Sequence, residues 1–392
     1  MLTKIFGIDY MRELFPGYFS ESDERLQLLW KSATLVFDAN ILLNLYRYSD
    51  KTRNIFLNIL EAEKHRIWIP YQVAEEYLRN RVTVIIQQEK SYDDTINAIN
   101  SLEKKLDNAR QHPFVSEESL AKYNETFTSL KMELFSSKKT HTDRINNDPI
   151  KDNIARIFEG KVGKAYSKEE LKNIFVEGED RYAQHIPPGY MDSSKSKDKS
   201  NFQSESRKYG DFIVWKQILE QAKEANNDIF LVTDDAKDDW WLSQNGKTIG
   251  PRPELVKEFK DSADNKFHMY RADSFLKFAQ EYLGNEINEE AVKETEQVRL
   301  DVNKQNASFE AALSKYQALS DLVSYLKSNV KVGGKLPSER NLSEAIGWTR
   351  TVVREQLVRL ESWDYITIEH GKSSILDLEL PNNSQIRIDD ND

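Results

Sequence analysis

Two kinds of apolar pattern alternate along residues 1–285. Short apolar runs bounded by polar and turn-forming residues stand at Thr34–Phe37, Arg66–Ile69, Asn227–Val232 and Phe267–Tyr270. Their length and their branched or aromatic content predict β-strands. Between them, apolar residues recur at threes and fours: Ile41, Leu42, Leu45 and Tyr46, then Ile55, Phe56, Ile59 and Leu60, later Ile213, Val214, Ile218 and Leu219. That spacing predicts helices with one buried face. Strands separated by helices predict an α/β unit on a parallel sheet. Pro70 ends the second strand, because it cannot donate to a ladder. Val73 to Arg81 then starts a helix with Glu75 and Glu76 in its first turn. Residues 1–33 read as an aromatic-rich entry segment, with Ser20 or Ser22 as a helix cap.

From Val82 to Phe135 the pattern changes. Ile85, Ile96, Ile99, Leu102 and Leu106 recur among charged residues, and after His112-Pro113 so do Leu120, Tyr123, Phe127, Leu130 and Leu134. Two charged helices broken by a Pro-containing turn predict an antiparallel, coiled-coil-like hairpin. It belongs to an insertion of about residues 82–190 between the second and third strands, expected to be a structural arm or a contact to a second copy ahead of a substrate-binding element. A Ser/Lys-rich loop, residues 192–208, cannot bury a core. Residues 286–307 form a polar, Glu-rich linker, helical or flexible. A second unit, residues 308–380, opens with an amphipathic helix through Leu313, Leu319 and Leu326, and the acidic tail 381–392 is expected to be disordered.

The chain's 392 residues suffice for two or three domains. It has no cysteine, which excludes disulfides and thiolate metal sites and fits a reducing cytoplasm. No apolar run has the roughly 20 residues of a membrane span, and the N-terminus lacks the pattern of a signal peptide. A net charge of −10 confines any nucleic-acid contact to local patches.

The candidate chemistry is acidic. Asp38 follows the first strand, Glu75 and Glu76 follow the second, Asp211 opens a helix, and Thr233-Asp234-Asp235 follow the third. Each acid alone reads as a helix cap. Together they stand where an open α/β sheet binds ligands, in the crevice at the carboxyl ends of its strands. Clustered acids repel unless a cation sits between them, and hard oxygen donors suit Mg²⁺ or Mn²⁺. The pattern therefore predicts a metal-dependent phosphodiesterase site. Adjacent helical residues point about 100° apart, so only one of Glu75 and Glu76 faces the crevice. Asp234 and Asp235 divide between ligand and cap. Asn40 and Thr233 are placed to orient a carboxylate or water, turn hydrogen bonding being the ordinary alternative. Arg81, about one turn past Glu76, pairs either with a phosphate or in a surface ion pair, and Lys195, Lys197 and Lys199 either stay solvated or close over a phosphate backbone. No Gly-rich phosphate loop or nucleophile elbow competes.

On these residues the chain resembles the PIN-domain nucleases. Phe37-Asp38-Ala-Asn40, Val73-x-x-Glu76, Asp211 at a helix start and Thr233-Asp-Asp235 look like that family's four acidic motifs. Tyr71-Gln-Val-x-x-Glu76-Tyr-x-x-Asn80-Arg81, Pro187-Pro-Gly-Tyr-x-Asp192, Tyr209-Gly-Asp211-x-Ile213-x-Trp215 and Val232-Thr-Asp-Asp235-x-Lys-x-Asp239-Trp-Trp241 are more specific, and are similar to the bacterial PIN-like group with a helical insertion. The likeness covers roughly residues 10–284. It implies a three-layer α/β/α fold with Asp38, Glu76, Asp211 and Asp235 around Mg²⁺ or Mn²⁺, Asp234 and Asp239 being further candidate ligands. The implied activity is hydrolysis of RNA or single-stranded DNA.

Leu336-Pro-Ser-Glu-Arg340-x-Leu342-x-x-x-x-Gly347-x-x-Arg350-Thr-Val-Val-Arg354-x-x-Leu357-x-x-Leu360-Glu361 is similar to the winged helix of GntR-type bacterial transcription factors, over about residues 310–378. A helix ending at Gly347, a tight turn, a second helix from Thr349 and a wing around Gly371 agree with it. The likeness implies that Arg340, Arg350, Thr351 and Arg354 meet duplex DNA, with Lys372 on the wing. Trp348 stands where that family usually has a small or aliphatic residue, and residues 331–376 carry a net charge of only +1 from seven Lys/Arg and six Asp/Glu. A protein–protein or dimerisation role is the alternative for this unit. The expectation is a cytoplasmic, metal-dependent nuclease with a DNA-reading module, in the manner of a toxin or defence factor, able to self-associate through the insertion or the C-terminal unit. The alternative is a transcription regulator whose PIN-like unit does not cut.

Overall fold

The structure, a computed structural model, describes residues 10–19, 22–107, 116–193, 202–368 and 374–381. It falls into two units, one ending at Leu300 and the other beginning at Asp301. In the first, α1 (Asp23–Ser32), β1 (Thr34–Phe37), α2 (Ala39–Asn44), α3 (Asp50–Ala62) and β2 (Ile67–Trp68) come in order. Further on stand α9 (Gly210–Ala225), β3 (Ile229–Val232), a hairpin of β4 (Trp241–Gln244) and β5 (Lys247–Pro251), α10 (Pro253–Ala263), β6 (Phe267–Tyr270) and α11 (Ala272–Tyr282).

The main sheet has the order β2-β1-β3-β6 and every pair is parallel. Register places Leu35 beside Phe230 and Phe37 beside Val232, so one face is Leu35, Phe37, Phe230 and Tyr270. On that face Trp30 of α1, Phe56 of α3 and Phe275 of α11 meet the strand aromatics. On the other face Phe267 packs on Trp215 of α9 and Phe259 of α10. β1 and β3 are buried at every position, as a parallel sheet covered on both sides requires. This is the expected α/β/α arrangement. The chain leaves β1 for β2 on one side and reaches β3 on the other, so the switch point lies between the carboxyl ends of β1 and β3.

The insertion begins inside a helix rather than after one. α4 runs unbroken from Tyr71 to Leu106, so Glu75 and Glu76 lie in its second turn, not its first. α5 (Glu117–Asp143) returns antiparallel to it, with Lys131 bonded to Glu103 at 2.6 Å and Lys138 to Asp93 at 2.7 Å. The connecting His112-Pro113 lies outside the described residues. α6 (Pro149–Ile157) and α7 (Lys168–Ala183) lead to a 3-10 turn at Tyr190–Asp192. Within the expected loop, Asp192 is buried and Phe202–Lys208 forms α8, while Lys195, Lys197 and Lys199 lie outside the described residues.

The polar stretch after residue 286 is helical from Glu289, the start of α12 (Glu289–Asn329). Its first turns are fastened to the first unit: Glu294 accepts from Ser49 Oγ at 2.7 Å and Thr52 Oγ1 at 2.5 Å, and Arg299 pairs with Asp273 at 3.1 Å. In the second unit, α12 from Asp301, α13 (Glu339–Ile346) and α14 (Arg350–Ser362) enclose a core of Leu319, Leu322, Leu326, Leu342, Val353 and Leu360. Gly347 caps α13 in the left-handed region at φ 75°, and Thr349 Oγ1 caps α14 by accepting from Val352 N–H. β7 (Ile366–Thr367) and β8 (Ile375–Leu376) pair antiparallel as the wing, and Lys335 bridges to Ile375. Lys372 and residues 382–392 lie outside the described residues. Among the described residues, no helix is long and apolar enough to cross a membrane.

Candidate functional site

Asp38 ends β1 and caps α2 at once. Its Oδ1 accepts from Ala39 N–H at 2.7 Å; its Oδ2 accepts from Asn40 Nδ2 at 2.6 Å and Thr233 Oγ1 at 2.7 Å. Cap and crevice are thus two uses of one carboxylate. Burial first, then the charge of Glu76, and after it those of Asp211 and Asp235, push the Asp38 carboxyl up to about 7 against the hydrogen bond from Thr233. That mutual repulsion places the four predicted acids in one electrostatic neighbourhood. Glu76 is half-buried within it, while Glu75 is exposed.

Asn40 and Thr233 act within the protein. Asn40 Oδ1 accepts the Asp234 backbone N–H at 3.0 Å, and Thr233 Oγ1 accepts that of Asp235 at 3.1 Å. They lock the ends of β1 and β3 together and aim Asp38. Asp234 is turned elsewhere. It is buried, accepts from Asn44 Nδ2 at 2.9 Å and from Ala272 N–H at 3.0 Å, and has Arg299 at 3.9 Å. Burial raises it to about 6, opposed by the Ala272 N–H and the Arg299 charge. Of the adjacent pair, Asp235 belongs to the acid group and Asp234 fastens the start of α11.

Asp239 is fully buried, and its Oδ2 accepts the backbone N–H groups of Gly189 at 2.9 Å and Met191 at 3.0 Å. Its Oδ1 has no hydrogen-bond partner among the described residues. Burial pushes it up to about 6 against the Met191 hydrogen bond, and the nearby Asp211 adds to the rise. Gly189 makes this turn feasible: its φ is 92°, and a Cβ there would stand 2.2 Å from Tyr182 Oη and 3.2 Å from Asp211 Cβ. The turn delivers Asp192 to the acids.

Sequence reasoning gave no site role to Asp192 or Lys237. Lys237 Nζ lies 3.0 Å from Asp192 Oδ1, 3.2 Å from Asp211 Oδ2 and 3.2 Å from Asp235 Oδ2. Asp235 Oδ1 also accepts the Lys237 backbone N–H at 2.8 Å. Burial disfavours the ammonium, but Asp211, Asp235 and Asp192 outweigh it and raise its pKa. Asp235 is itself raised by burial and by Asp211, while Lys237 lowers it. The signal in the sequence is the alternation Asp235-x-Lys237-x-Asp239, which reads as a solvated turn until the distant 187–192 segment folds over it.

Arg81 is not in the crevice. It pairs with the fully buried Asp148 side chain at 2.7 Å, where Tyr46 Oη also donates at 2.6 Å. The pair ties the insertion to Tyr46, just past α2, and to the start of α6; Arg81 thus stands in an ion pair, though a buried one rather than the surface pair expected. Among the described residues, no group of three or more His, Cys, Asp or Glu is set around one point as a ready metal cage. The donors are nonetheless hard oxygens, and Mg²⁺ is ordinarily held by one or two carboxylates with waters and substrate phosphates completing its shell. Such an ion fits Asp38 and Glu76, whose crowding a cation relieves.

On the second unit, Arg340, Arg350, Thr351 and Arg354 are all exposed. Arg354 donates to Glu339 at 2.8 and 2.9 Å, and Arg340 to Glu344 at 3.0 Å. Trp348 is accommodated rather than disruptive: its Nε1 donates to Asp321 Oδ2 at 2.9 Å, and its carbonyl accepts from Ser343 Oγ at 2.6 Å.

Fold and site together define a protein that joins an acidic-creviced α/β/α unit to a winged helix. The chain belongs to the PIN-like domain family, whose model matches residues 34–255, more than half of its length. Residues 316–375 match the gntR family of bacterial regulatory proteins, so a DNA-binding domain of that type is present. The chain is 55% identical over 40 residues to the fatty acid metabolism regulator protein of Haemophilus influenzae (strain PittEE), covering 10% of this chain and 17% of that protein. Proteins of the same name from Erwinia tasmaniensis and Yersinia pestis (strain Pestoides F) are 58% identical over 40 residues, with the same coverage. The chain thus spans 17% of the length of these curated relatives. No solved structure matches it.

Proposed function

We propose that the PIN-like unit is a divalent-metal-dependent nuclease that hydrolyses phosphodiester bonds of RNA or single-stranded DNA in the cytoplasm, and that the winged helix places it on duplex DNA or regulates it. The observation that carries this reading is that Asp38, at the switch point, is raised to about 7 by burial first and then by the charges of Glu76, Asp211 and Asp235 around it. Mg²⁺ or Mn²⁺, when bound, would activate a water and steady the scissile phosphate. Asp38 and Glu76 would hold it, with Asp211 and Asp235 completing the acidic rim. Asn40 and Thr233 fix the Asp38 carboxylate before any ligand arrives, so its geometry is set in advance. Exposed Leu130, Met132 and Phe135 on α5 support the insertion as an arm for self-association. The test of the main reading is cleavage of a labelled strand in Mn²⁺, lost with chelator and with Asp38→Asn.

A second reading has its own support. Lys237 already compensates three of the acids, and the curated relatives are named regulators. In that reading the chain is a DNA-binding transcription regulator whose PIN-like unit does not cut. Duplex binding abolished by Arg350→Ala with Arg354→Ala, without cleavage in Mn²⁺, would favour it.

A further inference from the structure

We infer that Arg271 and Thr248 form a phosphate-binding edge beside the acidic crevice, which takes a phosphodiester of the nucleic-acid strand other than the scissile one. The inference deepens the nuclease reading above and rests on it for the strand being a substrate.

Three observations carry it. The first is place. Arg271 directly follows β6, so it stands at the same edge of the parallel sheet as Asp38 and Asp235. The carbonyl of Tyr270, just before it, accepts the Thr233 N–H at 3.0 Å, and the N–H of Ala272, just after it, is held by Asp234 at 3.0 Å. Its backbone is therefore locked to the end of β3.

The second is aim. The guanidinium lies over the Trp241 ring, 5.3 Å from its centre, and donates to Thr248 Oγ1 on β5 at 2.6 Å. Trp241 is buried, and its Nε1 donates to the Asp235 carbonyl at 2.6 Å. The ring that supports Arg271 is thus pinned to the loop presenting Asp235. Ring and hairpin hold the arginine before any ligand arrives, which reduces the ordering cost of binding one.

The third is charge. Arg299 takes the Asp273 carboxylate at 3.1 Å and lies 3.9 Å from that of Asp234. Among the described residues, Arg271 donates to the Thr248 hydroxyl and ion-pairs with no carboxylate. Burial first, then the Arg299 charge, hold its pKa below the usual arginine value, against the pull of Asp273, Asp234 and Glu296. A guanidinium keeps its proton in a protein, so an incoming anion relieves that pressure. Its planar fork matches two oxygens of a phosphate. The exposed Thr248 hydroxyl accepts from Arg271 and keeps its own hydrogen to donate beside it. With a net charge of −10 on the chain, contact with a strand has to be local, and this edge supplies it.

The experiment uses the full chain carrying Arg350→Ala with Arg354→Ala, so that the winged helix does not contribute, and short labelled strands of RNA and of DNA with one sequence. Affinity is read by fluorescence anisotropy in chelator across a salt series, and KM and kcat by cleavage in Mn²⁺. Added to this parent, Arg271→Ala should weaken binding of either strand roughly tenfold. It should also lower the salt slope by about 0.7, the share of one phosphate on a single strand. KM should rise by a similar factor while kcat stays close to that of the parent. Arg271→Lys should keep the slope and lose part of the affinity, since it has the charge without the fork. Thr248→Val, an exposed change, should weaken binding by about threefold at an unchanged slope. Unchanged affinity, slope and KM in Arg271→Ala would overturn the inference and, in a parent that cuts, leave the nuclease reading intact. Weaker binding at an unchanged slope in Arg271→Ala would also overturn it, because the residue would then act only through its packing on Trp241. The expected losses in a chain that cuts neither strand would uphold the binding edge and remove the nuclease reading.

Discussion

Thr233 Oγ1 donates to Asp38 Oδ2 at 2.7 Å, and this hydrogen bond helps to join the carboxyl ends of the two central strands. It is the shortest statement of how the fold makes the site. Thr233→Val keeps the shape and removes the donor, leaving a buried carboxylate less satisfied. Such losses typically cost about 1–3 kcal/mol. The expected outcome is a lowered denaturation midpoint and slower cleavage in Mn²⁺, with Thr233→Ser close to wild type. Equal behaviour of the Val and Ser variants would contradict the role given to Thr233.

Protonation of the ion-free site has a definite sign. The Asp38 carboxyl stands at about 7 in the folded protein against an ordinary 3.8, and Asp239 at about 6 adds to it. Between those values the folded state binds more protons than the unfolded one, so stability falls as pH rises through the folded pKa. His141 has the opposite sign: burial holds it near 4 against 6.5, so it destabilises only as pH falls below its unfolded value. In chelator, the stability these carboxyls contribute should therefore decline as pH rises from about 4 to about 7 and level off above that, and Asp38→Asn should flatten the upper part of the decline in Tm. A wild-type slope retained in Asp38→Asn would show that other groups carry it.

Arg81→Ala separates a structural from a substrate role. Removing one partner of a buried pair typically costs about 3–5 kcal/mol, and Asp148 has no exposed surface to relax into. Denaturant melts should show a loss of that order. A stable Arg81→Ala protein with weakened nucleic-acid affinity would restore the phosphate-binding expectation.

The DNA-reading unit makes its own prediction. Glu339 and Glu344 already occupy Arg354 and Arg340, although exposed pairs of this kind are weak enough for phosphates to displace. Arg350→Ala with Arg354→Ala should weaken duplex binding and reduce the salt slope by about two. Glu339→Gln should tighten binding by freeing Arg354. Gel shifts across a salt series read both, and an unchanged slope would argue against phosphate contacts at this helix.

What the sequence made legible was local. Strand ends, helix faces and the acids between them follow from patterns a few residues long, and Asp38 feels the charges of Glu76, Asp211 and Asp235. Asn245-Gly246 was a readable signal for the β4–β5 hairpin, since both residues adopt positive φ, 51° and 75°, as a tight two-residue turn needs; the pattern reading passed over it. Other features depended on distant partners. Asp234 differs from Asp235 because α11 offers it the Ala272 N–H, and Arg81 differs from a surface cation because Asp148 arrives after the whole hairpin. Lys237 and Asp192 find each other across 45 residues, a pairing that no local periodicity encodes.

The most direct test of the account is cleavage of labelled single-stranded RNA, single-stranded DNA and duplex DNA in Mn²⁺ or Mg²⁺, with Asp38→Asn beside the wild type. The account predicts cutting of a single-stranded substrate that disappears in the variant and in chelator. Cutting that persists in Asp38→Asn, or no cutting of any substrate by a wild type that still binds duplex DNA, would contradict it.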